Sequence, residues 1–419
     1  MKKWTLLPLL AALIFGGVSS TFTQDHGSSR GMVIVPSSTQ ELPWEVGFRA
    51  HTNHLIMVRP EFTGSSPSGE TPASLACVYQ TAGTLVSGCP ISGTSALPSG
   101  GSGIIAIVDA FDYPTAASDF VRFSSQFGLP SGNTCGPNHN LQCFNVVYAS
   151  GNKPRANCGW AQEAALDIEW SHAMAPDAQI VLVEAKTNSF SNLFAAVDVA
   201  TSVVQSGSTG KGEVSMSWGG SEFSSESSND AHFNHTGVVY FASSGDTGGK
   251  VIYPSASPSV VSAGGSSVNR TSGSFTSESA WSGGGGGPSA YEGAPGYQSS
   301  VASVAKLVGS HRGTPDFSFD SNPNTGVSVY DSTSCQGLSG WLVFGGTSVA
   351  SPSLSGIVNL AASFSTTSSS ELSLIYGTYA GPNYSTDLRD IAAGSNGFSA
   401  GTGWDFATGV GSNVGKSGK

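Results

Sequence analysis

The segment Gly345–Pro352 reads GGTSVASP and leads into the apolar run Leu354–Ala362 (LSGIVNLAA), which predicts a last helix beginning near Thr347. Ser348 then lies at a helix N-terminus, where the helix dipole and free N–H groups stabilise developing negative charge. The small neighbouring residues let the backbone of a substrate approach the serine hydroxyl. An isolated Gly-Thr-Ser is more readily explained as the cap of a helix in a glycine-rich turn, so this segment alone does not decide its role.

Two acidic residues share one face of an earlier predicted helix, Ala161–Met174. Glu163 and Asp167 are four positions apart, which brings their carboxyl groups within contact distance. Two close carboxylates resist double ionisation and share a proton, so the pair can act as a general base in mildly acidic water. Taken alone, such a pair is usually a solvated helix face. Glu169 points off this face, and we expect its side chain to be solvated.

Further segments surround the serine in the order that one known fold requires. The string GTSVASP resembles the nucleophile signature of the subtilisin-like serine peptidases. The segment SWGG resembles the strand that binds extended substrate in those enzymes, which implies substrate contacts for Ser217, Trp218 and Gly219. Val239–Gly245 (VYFASSG) resembles the strand that leads to the oxyanion hole. Three matches in order point to this fold.

The chain departs from a histidine-based triad in two places. None of its eight histidines lies in an HGT-type motif. Subtilisin-like enzymes carry an asparagine amide where this chain has Asp246, in the segment SSGDTG. An ionised aspartate would repel an oxyanion, whereas a protonated one donates a hydrogen bond to it. The carboxylate base and the aspartic donor therefore both fit operation in acid.

Specific motifs extend over roughly Thr71 to Gly411. They are WAQEAALDIEW at Trp160–Trp170, SSGDTG, GGTSVASP, RGTPDFSFDSNP at Arg312–Pro323, and GWDFATGVGS at Gly403–Ser412. Together they resemble the sedolisin family, the serine-carboxyl peptidases. The resemblance implies that Ser348 is the nucleophile and Glu163 the base. It implies further that Asp167 is the partner of Glu163 and that Asp246 is the oxyanion-hole acid. The function implied is that of a secreted, acid-acting endopeptidase that forms an acyl-enzyme with protein or peptide substrates.

A calcium site is also implied by the resemblance. Its ligands would be the side chains of Asp390 and Asp405 and the carbonyl oxygens of Ile391, Gly401 and Gly403. Two carboxylates with carbonyls from glycine turns suit one structural Ca²⁺, which takes six to eight oxygen ligands. The alternative is an ordinary glycine-rich surface loop.

Apolar runs that predict strands alternate with segments that predict helices. The predicted strands are Ile104–Asp109, Gln179–Glu184, Val214–Trp218, Val238–Ala242 and Val260–Ala263, and the predicted helices are Thr115–Phe127, Ala161–Met174, Ser191–Val204 and the one after Thr347. Strands that are apolar on both faces and separated by helices indicate a parallel sheet covered on both sides. The expected fold class is α/β, a subtilisin-like three-layer fold with a mostly parallel central sheet flanked by helices.

The N-terminus predicts export. Lys2 and Lys3 precede the apolar run Trp4–Val18, so residues 1–20 are predicted to be a signal peptide. Residues 21–75 are predicted to form an irregular N-terminal extension, and residues 76–419 the peptidase domain. This extension is too short for the long prosegment that most sedolisins carry.

Composition excludes several partners. Only 11% of the 419 residues are charged and the formal net charge is −11, which argues against binding to nucleic acid or anionic membranes. Past residue 20 no apolar stretch is long enough to span a bilayer, so we expect no membrane anchor, and a monomer. In an exported chain, six cysteines indicate disulfides, and we expect the pairs Cys77–Cys89, Cys135–Cys143 and Cys158–Cys335.

Two other functions stay open at this stage. A histidine-triad subtilisin-like protease would use Asp109, at the end of the first strand, with an imidazole such as that of His172. A secreted non-catalytic pseudo-peptidase would only bind peptides. The first predicts activity that rises through neutral pH, and the second predicts no hydrolysis at all.

Overall fold

The computed structural model describes residues 31–59, 64–92, 95–136 and 138–419, so the predicted signal peptide lies outside the described residues. The strands are β1 Met32–Ile34, β2 His51–Thr52, β3 Leu55–Val58, β4 Ile104–Ala110, β5 Phe144–Tyr148, β6 Gln179–Ala185, β7 Gly212–Met216, β8 Trp218–Ser221, β9 Val238–Ser243, β10 Ile252–Tyr253, β11 Val261–Thr271, β12 Ser274–Ala280, β13 Gly287–Gly293, β14 His311–Thr314, β15 Phe317–Asp320, β16 Val327–Cys335, β17 Leu338–Gly345, β18 Leu388–Arg389 and β19 Ser412–Asn413. The helices are α1 Pro72–Val78, α2 Ala116–Phe127, α3 Cys158–Met174, α4 Phe190–Ser206, α5 Gly296–Ser299, α6 Ala302–Val308, α7 Thr347–Leu360, α8 Ser368–Ala380 and α9 Tyr384–Asp387.

The largest sheet has the strand order β12-β11-β9-β7-β4-β6-β5, with β15 paired to β11. Its pairings are parallel except that between β11 and β12. Every residue of β4 (IIAIVDA) is buried, as are those of β7 and β9. Strands apolar on both faces need cover on both sides, and the helices between them provide it.

Helices cover the two faces of this sheet. On one face α3 packs against α7, and both contact sheet strands; on the other, α4 packs across β4, β6 and β7. Two hydrophobic cores result, one containing residues of α3 and α7 and the other containing residues of α4. The predicted three-layer α/β fold with a mostly parallel central sheet is therefore confirmed. The packing of α3 on α7 decides the site, because the first carries the acidic pair and the second carries Ser348.

Two smaller antiparallel sheets lie at the end of α7. One has the order β1-β3-β17-β16 and the other the order β10-β8-β2. They draw residues 51–58 out of the segment that was predicted to be irregular. This stretch pairs first with β8 and then with β17.

Most predicted elements are present, with two corrections. The predicted strand Val214–Trp218 ends at Met216, and the chain changes sheets at Trp218 to form β8. The helix at Thr347 is not the last, because α8 follows it. Its buried Leu372, Ile375 and Tyr376 recur at helical spacing behind a serine-rich first turn, which obscures the apolar pattern in the sequence.

The three expected disulfides, Cys77–Cys89, Cys135–Cys143 and Cys158–Cys335, are all present. Cys158 begins α3 and Cys335 ends β16, so the third bond ties the helix of the acidic pair to the sheet that leads into Ser348. Within the described ranges, no helix is long and apolar enough to cross a membrane.

Candidate active site

Ser348 lies in the first turn of α7, directly after a sharp change of direction at Gly346. That glycine has φ +98°, in the left-handed region, and a Cβ there would lie 2.3 Å from the carbonyl oxygen of Asn53. The tight turn points the first N–H groups of α7 toward the chain that crosses in front of them. Ser348 itself is fully buried, and its hydroxyl lies 3.4 Å from the carbonyl oxygen of Ser217.

The acidic pair of α3 faces this serine. Glu163 and Asp167 are both fully buried, and Ser348 makes a side-chain hydrogen bond to Glu163. The hydroxyl of Ser217 donates to Asp167 Oδ1 at 2.7 Å. Glu163 Oε1 and Asp167 Oδ2 have no hydrogen-bond partner among the described residues. The structure thus brings the predicted nucleophile, base and partner into one buried cluster.

Burial decides the protonation of this pair. It raises the pKa of Glu163 to about 8, against the lowering effect of hydrogen bonds from Ser348 and from the amide of Asn53. It also raises the pKa of Asp167 well above its ordinary value, and the charge of Glu163 adds to this increase. Because each charge opposes the other, the two carboxyl groups titrate together and retain at least one proton.

A third carboxyl group belongs to the cluster. Asp109, near the C-terminal end of β4, is buried, and neither of its carboxylate oxygens has a partner in the described part of the chain. Burial, followed by the charges of Asp167 and Glu163, raises its pKa well above the ordinary value. Sequence reasoning considered Asp109 only as part of a histidine triad. Its place next to the acidic pair follows from the packing of α3 over β4, which no local sequence pattern encodes.

Asp246 lies on the other side of Ser348, in the loop after β9. Its Oδ1 accepts hydrogen bonds from the amide of Thr347 at 2.7 Å and from the hydroxyl of Thr347 at 2.9 Å. Its Oδ2 is buried without a hydrogen-bond partner in the resolved ranges of the structure. Burial raises the pKa of Asp246 to about 7, although the bonds from Thr347 act to lower it. Below that pH, Oδ2 carries a proton and can act as a donor.

His54 is a site residue that sequence reasoning placed in a loop. Its Nδ1 lies 2.9 Å from Glu163 Oε2, and the same oxygen accepts from the amide of Asn53 at 3.0 Å. Burial lowers the pKa of His54 to about 4, so the imidazole is neutral through most of the acidic range. The apolar run LIMV that follows His54 is a strand signal, but nothing local reveals the contact with Glu163.

The predicted substrate-binding residues lie beside this stretch. Ser217 precedes β8, in which Trp218 and Gly219 pair antiparallel with Thr52 and His51. The side chain of Trp218 is fully buried and donates to the carbonyl oxygen of Val108, so only its backbone faces the cleft.

Two further side chains of α3 can now be placed. Glu169 is fully buried and accepts from the amide of Tyr330 at 2.9 Å, so the prediction that it is solvated is wrong. The reason is that α3 is enclosed on all sides. His172 lies nine positions after Glu163, on the opposite side of the helix. Its Nε2 contacts the carbonyl oxygen of Pro130, and its ring packs on Phe120, 4.6 Å away between centroids.

The predicted calcium ligands meet around one glycine loop. Asp390 accepts from the amide of Gly403 at 3.0 Å, and Asp405 accepts from the amide of Gly401 at 2.8 Å. The carbonyl oxygen of Ile391 lies 3.5 Å from the hydroxyl of Thr408, which also contacts Asp405. Neither carboxylate forms a salt bridge to any described side chain. Their oxygen donors and uncompensated charge fit Ca²⁺, although glycine amides contact both carboxylates in this conformation.

Comparisons with known proteins agree with this geometry. No family model matches the chain. Sedolisin of Pseudomonas sp. (strain 101) is 34% identical over 180 residues, which is 39% of this chain and 28% of that protein. Kumamolisin of Bacillus sp. (strain MN-32) is 30% identical over 284 residues, or 60% of this chain and 49% of that protein. The chain thus spans half or less of the length of these relatives.

A solved structure of Pseudomonas sedolisin, a serine-carboxyl proteinase complexed with two molecules of pseudo-iodotyrostatin, matches with a TM-score of 0.63. The match covers 84% of this chain and 96% of that one, at 22% identity, and it establishes the fold. The chain therefore belongs to the sedolisin family and has its subtilisin-like fold.

Proposed function

We propose that this protein is a secreted serine-carboxyl endopeptidase that hydrolyses peptide bonds in acid. One observation carries the proposal: the hydroxyl of Ser348 hydrogen-bonds the carboxyl group of Glu163, with Asp167 one helical turn further along. A serine that contacts a buried proton-sharing carboxyl pair is a nucleophile with a base. The export signal of residues 1–20 supports secretion.

In the acylation step, Ser348 Oγ attacks the carbonyl carbon of the substrate and its proton passes to Glu163. Asp167 stabilises the protonation state of Glu163 through their shared proton, and the hydroxyl of Ser217 fixes the position of Asp167. When the tetrahedral intermediate collapses, the proton is delivered to the leaving amine. Water then hydrolyses the ester by the same route in reverse.

The oxyanion would be stabilised from two directions. The amide of Ser348 is one donor, at the positive end of α7. The protonated Oδ2 of Asp246 is the second, since Thr347 holds the other oxygen of this carboxyl group. Removal of a donor of this kind from an oxyanion hole costs about 10²- to 10³-fold in kcat.

Acid operation follows from two opposite requirements. Glu163 must lose a proton to act as base, whereas Asp246 must keep one to act as donor. Burial is the largest cause of the raised pKa of Glu163, so entry of water into the cleft moves this pKa back toward its ordinary value of 4.5. The donor is lost as the pH rises through about 7. Activity is therefore expected between these two limits.

The test is hydrolysis of casein and of a fluorogenic peptide library from about pH 3 to pH 8. Ser348→Ala should abolish turnover, and Glu163→Gln should reduce it by about 10²-fold or more, because the base is lost. Glu169→Gln is the matched control: it changes a buried glutamate of the same helix that contacts Tyr330 and should leave the rate unchanged. Equal activity of Glu163→Gln and wild type would refute the proposed base. A rate that rises through pH 7 would instead favour a histidine mechanism.

We also propose one structural calcium ion at the loop described above. Asp390 and Asp405 would supply the charged ligands, with carbonyl oxygens of Ile391, Gly401 and Gly403. An ion there would link the loop before β19 to the strand β18. Its expected effect is on stability, because the proposed active-site residues are different ones.

A further inference from the structure

Residues 51–55 cross the candidate active site as an extended strand. His51 pairs antiparallel with Gly219 and Thr52 with Trp218. The amide of Asn53 continues this pairing by donating to the carbonyl oxygen of Ser217 at 3.2 Å. Beyond the serine, Leu55 pairs antiparallel with Gly345. The backbone is thus held on both sides of Ser348 by the strands that line the cleft.

The carbonyl group of Asn53 occupies the position where an oxyanion would form. It accepts a hydrogen bond from the amide of Ser348 at 3.0 Å. A Cβ on Gly346 would lie 2.3 Å from this oxygen and 2.4 Å from Asp246 Oδ2, so the two oxygens face the same small space. Oδ2 is the buried atom of Asp246 without a partner among the described residues. Once protonated, it is the natural second donor to the Asn53 carbonyl.

The side chains on either side of this carbonyl also have defined partners. The amide nitrogen of the Asn53 side chain donates to Ser243 Oγ at 2.7 Å, within a buried pocket at the end of β9. On the far side of the peptide bond, His54 contacts Glu163. A backbone amide in the middle of the strand, that of Asn53, also donates to Glu163 Oε2. The Asn53–His54 bond therefore lies between the proposed nucleophile, base and oxyanion donors.

We propose that residues 51–55 are an internal substrate, that Ser348 cleaves the Asn53–His54 bond, and that Ser243 selects asparagine on the acyl side of the cleaved bond. This proposal rests on the proposed peptidase function. Ser348 Oγ forms an ester with the carbonyl carbon of Asn53 as its proton passes to Glu163. The bond to the His54 nitrogen breaks, and that nitrogen takes the proton. Water then hydrolyses the ester, which leaves a carboxylate on Asn53, an amino group on His54 and a free Ser348.

The first test follows the purified full chain at about pH 4 and pH 7 by intact mass and N-terminal sequencing. Wild type should acquire the N-terminal sequence HLIM in acid, whereas Ser348→Ala should stay uncut. The rate should not depend on protein concentration, because the bond is already in the cleft. Asn53→Leu should slow this cut at least about tenfold, through loss of the hydrogen bond to Ser243 and burial of its hydroxyl without a partner. Asn152→Leu, which changes an exposed asparagine, should leave the cut unchanged.

The second test does not depend on the folding of the Asn53 variant. A quenched peptide of the sequence AHTNHL, taken from residues 50–55, and its counterpart AHTLHL are offered to the processed wild type. Wild type should cleave the asparagine peptide at least about tenfold faster, and Ser243→Ala should lose that preference.

The outcomes separate this proposal from the one on which it rests. Hydrolysis of casein or peptides with an intact Asn53–His54 bond, or with a cut elsewhere, would overturn the internal substrate and leave the peptidase function standing. Cleavage at this bond in Ser348→Ala would overturn it as well. Equal rates on the two peptides would refute the selection of asparagine by Ser243. No hydrolysis of any substrate would overturn the peptidase function and this inference together.

Discussion

Asp246→Asn should extend activity toward neutral pH. In this variant the amide oxygen can still accept both hydrogen bonds from Thr347, and the amide nitrogen takes the place of the partnerless Oδ2. The donor to the oxyanion is then present at every pH, whereas in wild type it disappears as the pH rises through about 7. At pH 8 only roughly a tenth of the wild-type carboxyl groups keep the proton, and at pH 5 nearly all do.

The rate of Asp246→Asn relative to wild type should therefore rise about tenfold between pH 5 and pH 8. The ratio is the useful quantity, because the titration of Glu163 affects both proteins and cancels. The assay is kcat/KM on one fluorogenic peptide at half-unit pH steps, with circular dichroism at each step to verify the fold. Asp246→Ala is the control: it should be slower than wild type by about 10²- to 10³-fold in acid. A ratio of Asp246→Asn to wild type that stays constant from pH 5 to pH 8 would refute the donor role.

Two further predictions concern stability. Glu213 is fully buried, and burial raises its pKa to about 8, so it favours the folded state below pH 4.5 and that contribution is lost as the pH rises toward 8. Wild type should lose up to about 1.4 kcal/mol per pH unit over this range relative to Glu213→Gln, measured by urea unfolding; parallel pH profiles of the two proteins would contradict this. If calcium binds at Asp390 and Asp405, EDTA should lower the Tm of wild type and added Ca²⁺ should restore it, by mass action on the native state. Asp405→Asn should reduce that response, and an unchanged wild-type Tm would remove the calcium site.

The parts of the site that the sequence revealed are those with local or motif-level signals. Glu163 and Asp167 are one helical turn apart, so their meeting depends only on the helix that carries them. Ser348 was indicated by a glycine-rich turn before an apolar run. Asp246 was recognised because it replaces an expected asparagine. In each case, the chemistry of the residue and its immediate neighbours was sufficient.

The parts that escaped prediction depend on long-range packing. Glu169 looks like a solvated residue only if one face of α3 is exposed, but this helix is enclosed by other elements. Asn53 and His54 lie in a polar stretch with weak periodicity, and they obtain their positions from pairing with strands more than a hundred residues away. The contribution of a strand edge to such pairing is made by its backbone, which leaves little trace in side-chain sequence.

The acid chemistry and the acid stability of this protein have a common physical origin. Carboxyl groups at Asp109, Glu163 and Asp167 are held where water is absent, and burial favours their neutral forms. Such groups stabilise the folded state at low pH, because unfolding does not release their protons there, and destabilise it as the pH rises. The same rise in pH charges Asp246 and removes the oxyanion donor. With only 17 lysines and arginines, the surface adds little repulsion in acid. Loss of activity and loss of stability should therefore both set in near neutral pH, for one reason: ionisation of carboxyl groups that the fold keeps dry.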